Sequence, residues 1–429
     1  ADNPSLAIAA ARVRQAQAMA LQTEAGEAPQ LGLAGSLERK RWPDDNFYGP
    51  GPLSSAMTWN NNEALSLSYD LDLWGRERSN TQRALDLAQV AAVEARAAAL
   101  ELQGNLLRSY VQLALHFAEQ DIATAALNQQ QQLLQLAQQR RQIGLGTQLE
   151  ISQAEVPWLI AQRQLAAVQA AIALSRNQLA ALVGKGPGAG ASLQRPRLAL
   201  QLNNQLPSNL PLELLGRRPD VVARRWQVAA QARGIEVAQA DFYPNINLRG
   251  SLGSAAVQGG LLEFLRADKL TYGIGPALNL PIFDGGRLRG QLGSATAGYD
   301  LAVEQYNQTL IQALKGVSDQ LIHLHSLQQQ QQSSAAGLLA ASQNCQLALL
   351  AEQRGLTDFR EVLHAQGQLF QLQYEQQRLW AAQLNAQAEL WLALGGGVLP
   401  AAAGPADAQL SAQPVTWGGA AQPVGRADE

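Results

Sequence analysis

Glu361 and His364 stand three residues apart, a spacing that puts a carboxylate and an imidazole on one face of a helix, with Asp358, Arg360 and Arg354 close by in sequence. Histidine titrates near neutral pH, so such a pair could answer to acid. Catalysis would need more, and no nucleophile with a recognisable base stands out. His323 and His325 are two apart and diverge on a helix, and His116 has no evident ligand partner nearby in sequence, so no metal site is expected. Cys345 is the only cysteine, which excludes an internal disulfide and a thiolate metal centre built from this chain alone. GKGPGAG at 184–190 resembles a phosphate loop but lacks the Gly-Lys-Ser/Thr ending and follows a helical stretch, so it reads as a linker. The expectation is a protein that is not an enzyme and takes no cofactor.

A second pair of acids, Asp70 and Asp72, lies in LSLSYDLDL at 65–73, where Leu65, Leu67, Tyr69, Leu71 and Leu73 alternate with Ser66, Ser68, Asp70 and Asp72. That period of two describes a strand with one oily and one wet face. Gly75 then turns the chain into a long helical sequence. Composition narrows the setting. Of 429 residues 47% are hydrophobic and 16% charged, against ~25% charged in a typical soluble protein. The formal net charge is −3, which argues against nucleic acid as a partner. No apolar run is long enough for a membrane-spanning helix and no signal peptide precedes Ala1, so any meeting with a membrane must be through strands.

The elements that position these residues are written twice. Pro29, Leu31, Leu33, Gly35, Ser36 and Leu37 recur at a shift of 215 as Pro244, Ile246, Leu248, Gly250, Ser251 and Leu252, and Pro4 meets Pro219. At a shift of 211, Gly75 and Arg76 return as Gly286 and Arg287, Gly144 as Gly355, Glu150 as Glu361 and Gly184 as Gly395. Each half reads as a helix, two strands, a very long helix, a tip and a return helix. The first repeat is placed at 1–187, with strands about 30–38 and 64–73, a long helix at 79–143 and a return helix at 147–184. A linker at 188–217 joins it to the second repeat at 218–396, with strands about 245–253 and 271–283, a long helix at 290–354 and a return helix at 357–395. Residues 397–429 read as a loose tail. The long helices lack proline and could each reach about 100 Å at 1.5 Å per residue, too long for a compact domain, so coiled-coil-like neighbours are expected. Pro157 is expected to bend the first return helix.

Four strands of this length could cross a bilayer. In the last, Tyr272, Ile274, Leu278, Leu280 and Ile282 share a face opposite Gly273, Gly275, Ala277 and Asn279. Trp74, Phe242, Tyr243 and Phe283 cluster near the helix ends of the strands, and Trp42, Phe47, Tyr48 and Trp59 fall in the connecting loop, like the two girdles of a membrane barrel. Four strands cannot close, and open edges in lipid leave backbone groups without partners. Three copies would give twelve, with Ser66, Ser68, Asp70, Asp72 and Asn279 facing water. Gly75 and Gly286 supply backbone freedom where strand becomes helix, and Arg76 and Arg287 just beyond face either lipid headgroups or acids of neighbouring helices.

ELLGRRPDVVARRWQVAAQA at 213–232, YPNINLRGSLG at 243–253, GPALNLPIFDGGRLRG at 275–290 and RGLTDFREVLHAQGQLF with its terminal ALGGG resemble the outer membrane efflux protein family, in its OprM and NodT branch, relatives of TolC. The resemblance covers nearly the whole chain in order. It implies a mixed α and β membrane protein: a homotrimer with a twelve-stranded β-barrel in the outer membrane of a Gram-negative bacterium, continued by a long periplasmic α-helical barrel. It also implies a passive exit duct of a tripartite pump, with a periplasmic membrane-fusion adaptor and an inner-membrane transporter of the RND, MFS or ABC class. Members usually begin with a lipid-bearing cysteine some tens of residues before the Asn-Pro found here at Asn3 and Pro4; this sequence starts at Ala1 without them. In TolC-like relatives two acidic positions after the second tip narrow the periplasmic mouth, and by spacing they fall on Glu361 and His364, with Asp358, Arg360 and Arg354 as contacts. Glu150 and Gln153 hold the matching places after the first tip. The rival reading is a soluble periplasmic coiled-coil adaptor or spacer.

Overall fold

The computed structural model describes residues 3–42, 56–198, 216–256 and 260–396, and residues up to Gly396 form one unit. Phe47, Tyr48, most of the expected linker and the expected tail lie outside the described residues. Each half contains the same series. The first is α1 (Pro4–Glu24), β1 (Gln30–Arg41), β2 (Met57–Asp70), α2 (Arg76–Gln142) and α3 (Gln148–Leu182). The second is α4 (Pro219–Ala240), β3 (Asn245–Ala256), β4 (Leu270–Asn279), α5 (Arg287–Gln353) and α6 (Phe359–Ala393). Both long helices have 67 residues and both return helices have 35, and all four pairs of ends obey the shift of 211.

The punctuation repeats as well. Gly75 and Gly286 precede the long helices at φ +73° and +93°, a left-handed turn that an L side chain resists. The tips close alike: Leu145 N–H donates to the Arg140 carbonyl at 2.8 Å and Gly144 N–H to Arg141 at 3.0 Å, and their counterparts Leu356 and Gly355 donate to Ala351 and Glu352, both at 2.9 Å. These are Schellman closures, with the tip glycine left-handed. α3 continues through Pro157.

Packing is along seams rather than around one core. Leu113, Val168, Ile172 and Leu179 join α2 to α3. Val111, Leu115, Ala381 and Leu384 join α2 to α6. Val221, Ala313, Val317, Leu390 and Leu394 join α4, α5 and α6. The short helices lie end to end with the return helices. Asn3, the N-cap of α1, donates through its amide to the Leu182 carbonyl at the end of α3 (2.6 Å), and Arg218, the N-cap of α4, donates to the Ala393 carbonyl at the end of α6 (2.8 Å).

The four strands form one antiparallel sheet in the order β1-β2-β3-β4, leaving β1 and β4 as open edges. The first hairpin is longer than expected at its far end, reaching Arg41 and restarting at Met57, so Trp59 lies within β2 rather than in a connecting loop. At the near end two strands stop early. Asp72 turns the chain at φ +43° just past β2, and β4 ends at Asn279, two residues before Pro281, which has no N–H to continue a ladder.

Candidate functional site

Register turns the alternation of single strands into two continuous surfaces. Leu31 opposes Leu67, Leu67 opposes Gly250 and Gly250 opposes Ile274; one step further, Leu33, Leu65, Leu252 and Tyr272 make a second row. Leu33 is 75% exposed, Ile274 76% and Tyr272 83%, so no helix among the described residues covers this apolar face. The opposite face carries Ser66, Ser68, Asp70, Asn247, Arg249, Ser251 and Asn279. Slipping one residue would exchange the two sets, which is why the pattern fixes the register. Beyond Glu63 the oily rows end: Asn61 is buried, its amide donating to the Leu261 carbonyl (2.6 Å) and its oxygen accepting from the Glu38 N–H (3.0 Å).

Asp70 and Asp72 part company. Asp70 closes the wet face of β2, accepting from Asn245 at 2.8 Å and from Arg76 at 3.3 Å. Asp72 does not stand on that face as expected. Lying past the strand, it accepts the N–H groups of Glu77 (2.9 Å) and Arg78 (3.0 Å) in the first turn of α2, a capping use of the carboxylate. Arg76 also meets Glu77 (2.6 Å) and Asp241 at the end of α4 (3.6 Å). Arg287 instead reaches Gln291 at 3.3 Å. Asp284 plays the capping part before α5; the N–H groups of Leu288 and Gly286 hold its carboxyl below the usual range. Trp74 stacks on Tyr243 at 4.7 Å and donates to the Pro244 carbonyl at 2.8 Å, while Phe242 is exposed and Phe283, at 93%, almost wholly so.

At the other end of the helices, Glu361 and His364 are exposed on one side of α6 while Val362 and Ala365 are buried on the other. Asp358 caps α6, accepting the Arg360 N–H at 2.6 Å, and its carboxylate pairs with the Arg360 guanidinium at 3.5 Å. Arg354 is exposed, and among the described residues no hydrogen bond or ion pair joins it, or Arg360, to Glu361. In the first half Thr147 caps α3: the Glu150 N–H donates to the threonine hydroxyl at 3.3 Å, and the hydroxyl donates to the Glu150 carboxylate at 3.4 Å. Gln153 is half-buried one turn further on. Ile143, Leu145, Leu149 and Leu356 are 65% exposed or more, so each hairpin ends in bare aliphatic side chains.

Sequence reasoning missed a polar ladder along the seam of α2 and α6. Arg108 pairs with Glu389, Arg378 donates to Glu119 at 2.9 Å, and Gln130 donates to Gln366 at 3.5 Å. Nearer the tips Arg140 pairs with Glu352 of α5. The signal is present as a step of 11 from Arg108 to Glu119 to Gln130, but it becomes readable only once the facing helix is known. Among the described residues no group of His, Cys, Asp and Glu could hold a metal ion, and no helix is long and apolar enough to cross a membrane.

Comparison with known proteins covers most of the chain. Residues 1–185 and 210–396 match the family described as outer membrane efflux protein. The chain is 54% identical over 287 residues to the fusaric acid resistance protein FusA of Burkholderia cepacia, a match spanning 67% of this chain and 54% of that one. It is 31% identical to the pyoverdine export outer membrane protein OpmQ of Pseudomonas putida, over 91% of this chain and 83% of the relative. Among solved structures the outer membrane protein VceC of Vibrio cholerae superposes with a TM-score of 0.82 at 33% identity, covering 92% of this chain and 93% of that one.

Proposed function

This chain belongs to the outer membrane efflux protein family, and from that premise we propose that three copies form the exit duct of a tripartite efflux pump. One observation carries the reading: a four-stranded sheet whose apolar face is bare and whose two edges are open continues into helices of 67 residues. A water-borne sheet covers such a face, and a barrel in lipid leaves it outward. Twelve pooled strands close both edges, and the wet face then lines the bore. The duct is passive. Energy enters from an inner-membrane transporter, of the RND, MFS or ABC class, through a periplasmic adaptor, for which the bare Leu145 and Leu356 at the hairpin tips offer apolar seats.

Glu361 and His364 narrow the periplasmic mouth in this reading, with Glu150 and Gln153 beside them. Their exposure on one side of α6, opposite buried Val362 and Ala365, supports it. The test of the duct is extraction and conductance: the full chain needs detergent, runs as a heat-sensitive trimer on a gel, and opens channels in planar bilayers. A monomer soluble in plain buffer, as an adaptor or spacer would be, overturns it. For the mouth, Glu361→Ala with His364→Ala is expected to raise single-channel conductance. Unchanged conductance refutes that assignment.

A further inference from the structure

Among the described residues the strands carry two acids and two bases on the wet face, Glu38 and Asp70 against Lys40 and Arg249. Two of the four are engaged within the chain: Arg76 meets Asp70 at 3.3 Å, with the Asn245 amide at 2.8 Å, and Lys40 lies over the Trp42 ring at 4.7 Å. Glu38 and Arg249 are left. Both are exposed; among the described residues the Asn60 amide reaches the Glu38 carboxylate at 3.5 Å, and no hydrogen bond, ion pair or ring contact engages the Arg249 guanidinium. They cannot meet inside one chain. Arg249 shares its rung with Ser68 of β2, and Ser68 shares it with Gln30 of β1. From Gln30 to Glu38 is about 27 Å along an extended strand.

Between copies they can. β2 pairs Ala64 with Gly253 of β3. The internal duplication carries Ala64 forward by 211 to Gly275 of β4 and Gly253 back by 215 to Glu38 of β1, so the two open edges, joined by the same pairing, set Gly275 opposite Glu38 of the next copy. Arg249 stands opposite Gly275 in its own chain. Resting on the trimeric barrel proposed above, we infer that Arg249 reaches across Gly275 to form an ion pair with Glu38 of the next copy, three times around the bore, and that these pairs fix the register in which copies join. The glycine leaves the way open, since a Cβ there would meet no atom within 4 Å. Two strand spacings separate the backbones by roughly 9.6 Å, and on the concave side of a barrel of about 12 Å radius the two side chains converge to contact, where the planar fork of arginine fits a carboxylate. A slip of one residue is forbidden by the oily rows. A slip of two keeps both faces, and here charge excludes it: in one direction it brings Lys40 of the next copy to the Arg249 rung, like against like, and in the other it brings Ser36 and leaves both charges single.

The test is a charge exchange in the full chain in mild detergent, read as the half-life of the trimer on a gel at a fixed elevated temperature. Arg249→Glu or Glu38→Arg alone sets like charges on three rungs at once and shortens the half-life roughly tenfold. Arg249→Glu with Glu38→Arg restores it to within about twofold of wild type, as a direct pair requires. Should a reversed variant not assemble, neutral variants take its place: Arg249→Gln and Glu38→Gln each shorten the half-life, and together they shorten it no further than either alone. Single variants as long-lived as wild type, or combined variants whose losses simply add, overturn the ion pair and leave the duct standing, because the wild-type trimer and its conductance remain. A wild-type chain with neither trimer nor conductance removes the duct, and the pair with it.

Discussion

The two 67-residue helices are copies of one pattern, but α2 buries 16 of its residues and α5 only 5. α2 packs against α1, α3, α4 and α6, whereas α5 packs against α4 and α6. On α5, Leu301, Ile322 and Leu350 stand bare at separations of 21 and 28, with Ile311 and Leu339 in the intervening register. Multiples of seven offset by three are the a and d positions of a coiled-coil seam. The copy relation says what this face lacks: α6 covers α2 within the chain, and the counterpart of α6 for α5 is α3 of the next copy. An element of this molecule is buried when its partner lies in the same chain and bare when its partner lies in another.

The same rule sets the missing strand seam and gives the largest effect. Ser66 of β2 opposes Ser251 of β3. Advancing Ser66 by 211 gives Ala277, and moving Ser251 back by 215 gives Ser36. Ala277 of one copy is therefore expected to face Ser36 of the next. In a Cys345→Ala background, Ala277→Cys with Ser36→Cys yields disulfide-linked dimers and trimers on a non-reducing denaturing gel. Ala277→Cys with Leu37→Cys does not, because a one-residue step turns the thiol to the other face. Linkage of the second pair instead of the first breaks the copy rule at the barrel.

The seams within and between copies also differ in chemistry. Inside the chain, Arg378, 62% exposed at its side chain, serves Glu119, which is 9% exposed. Arg378→Met leaves a buried carboxylate alone and costs about 2–3 kcal/mol, whereas Glu119→Gln leaves a solvated guanidinium and costs ~1 kcal/mol. Advancing Glu119 by 211 gives Gln330, and moving Arg378 back gives Ala167, so no ion pair marks that level between copies. Gln330→Ala is expected to change stability by under ~0.5 kcal/mol. Urea titration of the detergent-solubilised protein followed by circular dichroism orders the three. Equal costs for the two in-chain substitutions would mean that Glu119 is not held as the geometry indicates.

What is legible in the sequence is what local rules decide. The duplication stands out because proline and glycine hold the same offsets, and those residues sit where the backbone requires them, Gly75 and Gly286 with positive φ among them. The oily rows are legible because a period of two survives from Leu65 to Tyr69 and from Ile246 to Leu252. The far end of the first hairpin is not, because Glu38-Arg39-Lys40-Arg41 and Thr58-Trp59-Asn60-Asn61 interrupt that period while the ladder of backbone bonds continues. Asp72 misleads for a related reason. Its place in the alternation is right for a strand, but its carboxylate is needed five residues on, at the N–H of Glu77. The polar ladder depends on which helix lies opposite, and spacing along one chain does not contain that.

The smallest effect separates the two end-to-end helix joints. Asn3 makes the first with a neutral amide, and Arg218 makes the second with a guanidinium that Asp220 grips twice, at 3.0 and 2.8 Å. Burial pushes the Asp220 carboxyl up, but the two bonds from Arg218 and the Val221 N–H outweigh it and leave it below the ordinary 3.8. A carboxyl depressed in the folded state stabilises it fully above the unfolded value near 3.8, and that contribution is lost as pH falls through the lower folded value. The Asp220 side chain is 45% exposed, so solvent screening keeps the contribution under about 1 kcal/mol. Asp220→Asn should therefore unfold slightly earlier than wild type in thermal melts at pH 7, and the gap should close as the pH is lowered toward 3 and below. Asn3→Ala, at the joint without an acid, should show a gap of similar size that pH leaves alone. If both gaps respond to acid alike, the two joints are chemically equivalent and the difference read between the halves ends at the long helices.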